Sequence, residues 1–113
     1  MPPPLDRDQV YSRFHDAVNM APAELEEWLE SDQSRKVGFK QPGQSESVGH
    51  ASGRRIVRLL RTRKAELDND DYAHMRKVAG FVARHSARRP ENTVTSRWRY
   101  SLMNWGHDPI REG

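Results

Sequence analysis

The sequence predicts an all-α fold: a small single domain of about five helices, with a long loop between the second and third helices. Apolar side chains recur every three or four residues in five segments, which is the helical period. Capping residues, prolines and glycines mark the ends of these segments. The chain has 113 residues, of which 35% are apolar, so it suits one domain with a modest core.

The first helix is expected over residues 7–19. Its apolar positions follow a spacing of four residues: Val10, Phe14 and Val18. Residues 1–5 contain three consecutive prolines, and we expect this start to be disordered. The helical domain is therefore expected to span 6–109, followed by a short tail at 110–113.

The second helix is expected over residues 22–31, because Pro22 suits the first turn of a helix. Its outer face is acidic and consists of Glu24, Glu26, Glu27 and Glu30. Helical periodicity then disappears, and residues 33–48 are rich in Gly, Ser and Gln. We expect a flexible loop there, and loops of this length are usually functional or mobile.

The third helix is expected over residues 52–67, with Ser52 as its N-cap. One side is apolar and carries Ile56, Leu59, Leu60 and Leu67. The opposite side is basic and carries Arg54, Arg58 and Arg61, with Arg55 beside them. This basic face is either a solvated surface or a phosphate contact. Free N–H groups, the Ser52 hydroxyl and two arginines at the helix start favour the phosphate contact.

The fourth helix is expected over residues 71–88, ending before Pro90. Its apolar face consists of Tyr72, Met75, Val78, Ala79 and Val82. The fifth helix is expected over residues 95–105, with Gly106 as its C-terminal cap. Its apolar side chains have core spacing: Trp98, Leu102 and Trp105.

Charge is distributed unevenly along the chain. Residues 49–107 contain 13 Lys or Arg against 5 Asp or Glu, whereas residues 1–48 contain 5 basic and 9 acidic residues. The formal net charge of +3 therefore conceals a strongly basic half. Basic residues interleaved with aromatic and small polar ones suit a polyanion, and nucleic acid is the most common polyanion in a cell.

The connection into the fifth helix is the strongest candidate for nucleic-acid contact. In a helix-turn-helix, the N-terminal residues of the second helix face the DNA. Asn and Arg side chains pair with bases, and Thr and Ser hydroxyls bond phosphates. The alternative is that residues 92–96 only cap the fifth helix. The candidate nucleic-acid-binding residues are Ser52, Arg54, Arg55, Arg58, Arg61, Arg84, Arg88, Arg89, Asn92, Thr93, Arg97 and Arg99.

Catalytic and metal chemistry find little support in the sequence. The chain has no Cys and no metal-binding motif, and we expect neither an enzyme nor a cofactor. His74 and His85 cannot share one metal ion, because eleven residues of helix span ~16 Å. No apolar run reaches the ~18 residues that cross a membrane, and no signal peptide is recognisable. The expected location is the cytoplasm, with nucleoid association in a bacterium.

From Gly49 onward the chain resembles a family of small uncharacterised bacterial and fungal proteins, a domain of unknown function. Residues 49–57 (GHASGRRIV), 71–78 (DYAHMRKV), 84–85 (RH) and 98–109 (WRYSLMNWGHDP) carry the resemblance. Residues 22–29 and 37–38 also look familial. Members are sometimes labelled DNA-binding, so the resemblance implies a nucleic-acid partner and supplies no catalytic residues.

Together these features predict a DNA-binding protein that contacts mainly the phosphates of double-stranded DNA, as a chromosome-associated or regulatory factor. Asn92 and Thr93 are the candidate base readers. One alternative is a protein-interaction module, in which the basic half pairs with the acidic second helix, internally or in a homodimer. Another alternative is an RNA or single-strand binder.

Overall fold

Six α-helices and one 3₁₀ turn account for the regular structure of residues 6–110, the part of the chain that the computed structural model describes. The helices are α1 (Arg7–Ala17), α2 (Pro22–Leu29), α3 (Asp32–Lys36), α4 (Val48–Leu60), α5 (Asn69–Ser86) and α6 (Arg97–Asn104). The 3₁₀ turn is Lys64–Glu66, and residues 6–110 contain no strand. The all-α prediction is confirmed. The predicted disordered start at 1–5 lies outside the described residues, as does the predicted tail apart from Ile110.

The helices form one globule around α6. Helix α1 packs along α5, and α2 packs along α4. Helix α6 contacts α2, α3, α4 and α5, so it lies between the two helix pairs. The fully buried apolar side chains of the helices come from five of them and include Phe14, Leu25, Ile56, Met75, Val78 and Leu102. The predicted spacing in the first, fourth and fifth helices therefore does mark the core.

Helix α3 occupies the beginning of the predicted 33–48 loop. Its N-cap is Ser31, whose hydroxyl accepts a hydrogen bond from the Ser34 amide at 3.2 Å. The side chain that α3 buries is polar: Ser34 is fully buried. Helices are predicted from the periodic spacing of apolar residues, and α3 has no such spacing. For this reason the sequence pattern did not predict α3.

Helix α4 begins four residues before the predicted start at Ser52. The N-cap is Ser47, which accepts a hydrogen bond from the His50 amide at 3.1 Å. The helix also ends at Leu60 rather than at Leu67, and the chain passes through the 3₁₀ turn. Leu67 is nevertheless buried in the core. In the sequence, Leu67 keeps the apolar spacing of the helix although the helix has already ended at Leu60. The spacing therefore predicted a helix that extends too far along the chain.

A polar group at the end of α6 joins three helices inside the core. The Asn104 amide is 1% exposed. Its Oδ1 accepts hydrogen bonds from the Trp28 indole at 2.8 Å and the Ser34 hydroxyl at 2.5 Å. Its Nδ2 donates to the Ser34 carbonyl at 3.0 Å. Buried polar groups need such partners, so this amide links α6 to α2 and α3.

Gly106 ends α6 as predicted. Its φ of +81° lies in the left-handed region that favours glycine. Its carbonyl accepts hydrogen bonds from the amides of Asn19 and Met20, at 3.0 and 3.2 Å. The turn therefore also fixes the segment between α1 and α2 against the end of α6.

Candidate nucleic-acid interface

Most of the arginines predicted to contact phosphates on α4 are paired with carboxylates. Arg54 forms two hydrogen bonds to Glu46, at 2.6 and 2.8 Å. Arg61 lies 3.0 Å from Glu26 on α2. The remaining pair joins Arg55 to Asp71 on α5 at 3.5 Å. Arg58 is exposed and forms no ion pair within residues 6–110. The basic face of α4 is thus largely neutralised by the protein itself.

The predicted anion site at the start of this helix does not form where we expected it. Because α4 begins at Val48, the amides of residues 52–55 lie inside the helical ladder. Of the amides at the true start, Val48 donates to the Phe39 carbonyl at 2.8 Å and His50 donates to Ser47. The first turn therefore has bonding partners for these donors within the chain.

Ser52 lies in the interior of α4 and is 4% exposed. Its hydroxyl is 2.9 Å from Nε2 of His74 on α5, a pairing that sequence spacing did not indicate. The pair lacks the features of an activated nucleophile, because the hydroxyl is buried and no carboxylate within residues 6–110 bonds the His74 ring. Ser52 thus links two helices rather than facing a nucleic acid.

The α5–α6 connection differs from a helix-turn-helix in two ways. It runs from residue 87 to 96, whereas the turn of a helix-turn-helix has about 3–4 residues. In addition, α6 is the central helix, with Leu102 and Asn104 fully buried. A recognition helix must present an exposed face to the major groove. Helix α6 is not placed to serve as one.

The polar side chains of the connection bond mainly to one another. Asn92 donates to the Thr95 hydroxyl at 3.1 Å, and the Thr93 hydroxyl donates to the Pro90 carbonyl at 3.3 Å. Ser96 is the N-cap of α6 and accepts from the Arg99 amide at 3.1 Å. The Ser96 contact caps α6, as the alternative interpretation of residues 92–96 described, and the other two lie within the connection.

Arg99 holds the chain terminus against α6. It forms two hydrogen bonds to Asp108, both 3.1 Å long, and a third to the Val94 carbonyl at 2.7 Å. The Asp108 side chain is 9% exposed and that of Arg99 is 17% exposed. A bidentate, largely buried pair has a structural role, and its charge is not free for a phosphate.

The other predicted arginines lie near the carboxyl end of α5. Trp98 of α6 donates its indole N–H to the His85 carbonyl at 2.6 Å, which brings the start of α6 against this end. All four arginines of this region are exposed and form no ion pair within residues 6–110. We call them the α5-end cluster: Arg84, Arg88, Arg89 and Arg97.

Two contacts fix Arg89 within the α5-end cluster. The Arg89 guanidinium lies 5.8 Å from the centre of the Trp98 ring, and its Nε is 3.5 Å from the Thr93 hydroxyl. Between positions 84 and 97 the only acidic residue in the sequence is Glu91. The structure therefore concentrates unpaired positive charge at one end of α5.

Sequence reasoning missed two of the carboxylates that neutralise the other arginines. Glu46 and Asp108 lie eight and nine residues from their partners Arg54 and Arg99, across a helix start and a helix end. The chain bends back at these points, and helical periodicity in the sequence does not predict such bends. The one sequence signal for these two ion pairs is a carboxylate just outside a helix that carries basic residues.

The fold and the cluster define a small all-α protein with a basic end. Residues 13–103 match the model of the family described as Protein of unknown function (DUF3140), and the chain belongs to this family. The predicted resemblance to a domain of unknown function is thus confirmed. No curated protein and no solved structure matches the chain. None of the helices in residues 6–110 is long and apolar enough to cross a membrane.

Proposed function

We propose that this protein binds double-stranded DNA through the phosphate backbone, with the α5-end cluster as its contact surface. The supporting observation is that these four arginines are exposed and unpaired within residues 6–110, whereas Arg54, Arg55, Arg61 and Arg99 pair with carboxylates. An unpaired guanidinium exchanges only water and counterions for a phosphate. A guanidinium that is paired with a carboxylate must first break that ion pair before it can bind a phosphate.

The contacts proposed here are to phosphates rather than to bases. Reading a base edge takes a helix or ribbon in the major groove, and α6 is central in the fold. Asn92 and Thr93 would have to break their hydrogen bonds in the connection before pairing with a base. We therefore expect binding with little dependence on sequence, as in a chromosome-associated protein of the cytoplasm or nucleoid.

Duplex DNA fits this surface better than a single strand. Single-strand binders stack bases on exposed aromatic side chains. The exposed large apolar side chains within residues 6–110 are Phe39, Val94 and Ile110, and the aromatic one among them lies outside the connection. Trp98, the aromatic side chain of the cluster region, donates its indole N–H to α5 and packs against the core.

The test compares two triple variants with the same change of charge. Arg84→Gln/Arg88→Gln/Arg97→Gln removes the three cluster arginines whose side chains make no hydrogen bond within residues 6–110. The control Arg54→Gln/Arg58→Gln/Arg61→Gln alters α4. Fluorescence anisotropy with a labelled duplex of about 20 base pairs measures affinity between 50 and 200 mM salt. We expect the cluster variant to lose about tenfold or more in affinity, and its salt slope to fall by about one per phosphate contact removed. The control should stay close to the unmodified protein.

Four outcomes contradict the proposal. Equal losses in both triple variants would mean that binding follows net charge, and a greater loss in the α4 variant would move the contact to α4. Preferential competition by an unlabelled single strand or RNA would favour the single-strand alternative. Absence of any nucleic-acid binding, together with a dimer in light scattering, would favour the protein-interaction alternative. Among the described residues, that alternative is represented by the Arg61–Glu26 ion pair.

A further inference from the structure

A cleft of about 420 Å³ lies between α4, α5 and the segment that precedes α4. Gln41 and Gln44 line it from that segment, Arg55 from α4, and His74 and Lys77 from α5. Trp105, just after α6, completes the wall. Clefts of this size accommodate a small molecule. None of the α5-end cluster arginines lines it.

We propose that this cleft binds a small anionic molecule through a phosphate or carboxylate group. The proposal does not rest on DNA binding, because it concerns different residues. It stands on three features of the cleft: an indole N–H without an acceptor, a histidine with a free ring nitrogen, and two cations. All three call for a ligand that accepts hydrogen bonds and carries negative charge.

The indole of Trp105 is the first feature. The indole N–H of Trp28 donates to Asn104, and that of Trp98 donates to the His85 carbonyl. Trp105 is 4% exposed, yet its indole N–H has no acceptor within residues 6–110. A β-carbon at Gly49, in the first turn of α4, would stand 2.9 Å from the indole nitrogen, so this edge of the ring packs against that turn. Within residues 6–110 the fully buried side-chain atoms without a partner are His85 Nε2 and Ser86 Oγ, so the Trp105 nitrogen keeps some solvent access. An indole N–H that is partly accessible and has no protein acceptor can donate to a bound molecule.

His74 is the second feature. Its Nε2 is bonded to the Ser52 hydroxyl, and its Nδ1 makes no hydrogen bond within residues 6–110. Burial, followed by the charges of Arg55 and Lys77, lowers the pKa of His74 to about 4, so the ring is neutral at pH 7. When Ser52 donates to Nε2, the ring hydrogen is on Nδ1. Nδ1 is then a second donor in the wall of the cleft.

The cations are the third feature. Lys77 forms no ion pair within residues 6–110, whereas Arg55 is paired with Asp71 at 3.5 Å and would have to share its charge between that carboxylate and a bound anion. Arg55 and Lys77 lower the pKa of His74, and their combined effect is greater than the opposing effect of Asp71. Glu46, the carboxylate that lines the cleft, is held by two hydrogen bonds from Arg54. Asp70 borders a more open extension of the cleft beyond Lys77. The field inside the cleft thus favours an anion.

The experiment follows the three indole N–H signals by nuclear magnetic resonance while inorganic phosphate is added at constant ionic strength. Trp105→Phe assigns the signal. We expect the Trp105 signal to move and saturate, while the bonded indoles of Trp28 and Trp98 act as internal controls. A parallel titration with acetate distinguishes a carboxylate ligand from a phosphate ligand. Bound anion should also raise the pKa of His74, because it offsets the two cations.

Variants locate the binding. Lys77→Gln and Arg55→Gln should each weaken the response about tenfold or more, since each removes one charge-assisted contact. Arg76→Gln is the matched control, because Arg76 is the exposed neighbour of Lys77 and does not line the cleft. Far-ultraviolet circular dichroism verifies that each variant is folded.

Each remaining outcome overturns the proposal. The Trp105 signal could stay fixed with both anions, or all three indoles could move together, as in a general salt effect. The response could also survive Lys77→Gln. If duplex DNA moves the Trp105 signal and neither free anion does, the cleft belongs to the nucleic-acid surface instead. Failure of DNA binding in the anisotropy experiment would leave this titration unaffected, so the two proposals fail separately.

Discussion

Gly53 lies where α4 approaches the end of α6 most closely. A β-carbon at this position would stand 2.5 Å from the Asn104 carbonyl oxygen and 2.7 Å from a methyl carbon of Leu29. At Gly80 on α5, a β-carbon would meet only the end of the flexible Arg84 side chain, at 3.0 Å. Both glycines are inside helices, where Ala is intrinsically preferred. Because of their surroundings, we expect an added methyl group to destabilise the protein at Gly53 and to stabilise it at Gly80.

We expect Gly53→Ala to lower the free energy of unfolding by about 1–3 kcal/mol, because a backbone carbonyl cannot move aside. Gly80→Ala should raise it by about 0.5–1 kcal/mol, since the Arg84 side chain can swing away. Urea unfolding of both variants measures the difference. Similar effects of the two substitutions would show that helix propensity, rather than the α4–α6 approach, decides the outcome.

His74 makes stability depend on pH. Its pKa is lowered from 6.5 to about 4 in the folded protein, by burial first and then by Arg55 and Lys77 against the opposing effect of Asp71. The unfolded chain therefore takes up a proton at higher pH than the folded chain does. Stability contributed by the neutral ring is complete above pH 6.5 and is lost as the pH falls from 6.5 towards 4.

We expect His74→Gln to reduce the loss of stability between pH 7 and pH 5, measured as the shift of the urea midpoint. The pKa values of His15 and His85 are also lowered, chiefly by partial burial, so both rings contribute in the same direction. His15→Gln measures the share of a ring that is more exposed than His74. Glu46 titrates in a different range, because hydrogen bonds from Arg54 lower its pKa to about 2. Its contribution is lost below pH 4.5. An unchanged midpoint shift in His74→Gln would contradict this assignment.

At the scale of the helices, the caps decide where α4 and the basic surface begin. Ser47 is fully buried and caps α4, whereas Ser52, the predicted cap, bonds to His74 inside the helix. The sequence does not distinguish the two serines, because both precede stretches that can form a helix. The choice depends on the chain before α4, where Phe39 accepts a hydrogen bond from the Val48 amide.

Ser47→Ala should therefore lower the free energy of unfolding by about 1 kcal/mol, the usual effect of losing an N-cap hydrogen bond. Ser45→Ala is the matched control, because Ser45 is exposed and makes no side-chain hydrogen bond within residues 6–110. We expect its effect to stay within about 0.5 kcal/mol. Thermal unfolding followed by circular dichroism compares them, and equal melting temperatures would rule out Ser47 as the cap.

For the whole molecule, the position of α6 is decisive, and Asn104 is the polar group that fixes it. Its amide satisfies the Trp28 indole, the Ser34 hydroxyl and the Ser34 carbonyl. These groups come from α2 and α3, which approach the same end of α6. Because α6 is central, it is unavailable as a recognition helix, and the proposed DNA contact shifts to the end of α5.

We expect Asn104→Ala to lower the free energy of unfolding by about 3 kcal/mol or more, because three buried polar groups lose their partner. Asn92→Ala, which alters an exposed amide of the connection, should change it by less than about 0.5 kcal/mol. Urea unfolding measures both, and tryptophan fluorescence reports whether Trp28 loses its fixed environment. A small effect of Asn104→Ala would mean that water replaces the amide.

The sequence by itself determined the helical class, the core-facing residues of α1, α5 and α6, and the basic second half of the chain. These properties depend on spacing within a helix and on composition, which are local. It could not supply α3, whose buried side chain is a serine, or the start of α4.

Only the tertiary structure decided which arginines remain free. Arg61 meets Glu26 from 35 positions away, and Arg55 meets Asp71 across two helices. The same packing places the Trp105 ring against the cleft and brings Ser52 to His74. A charge or a donor is neutralised by whatever lies within a few ångströms of it, and that neighbourhood is set by how helices pack rather than by their order along the chain.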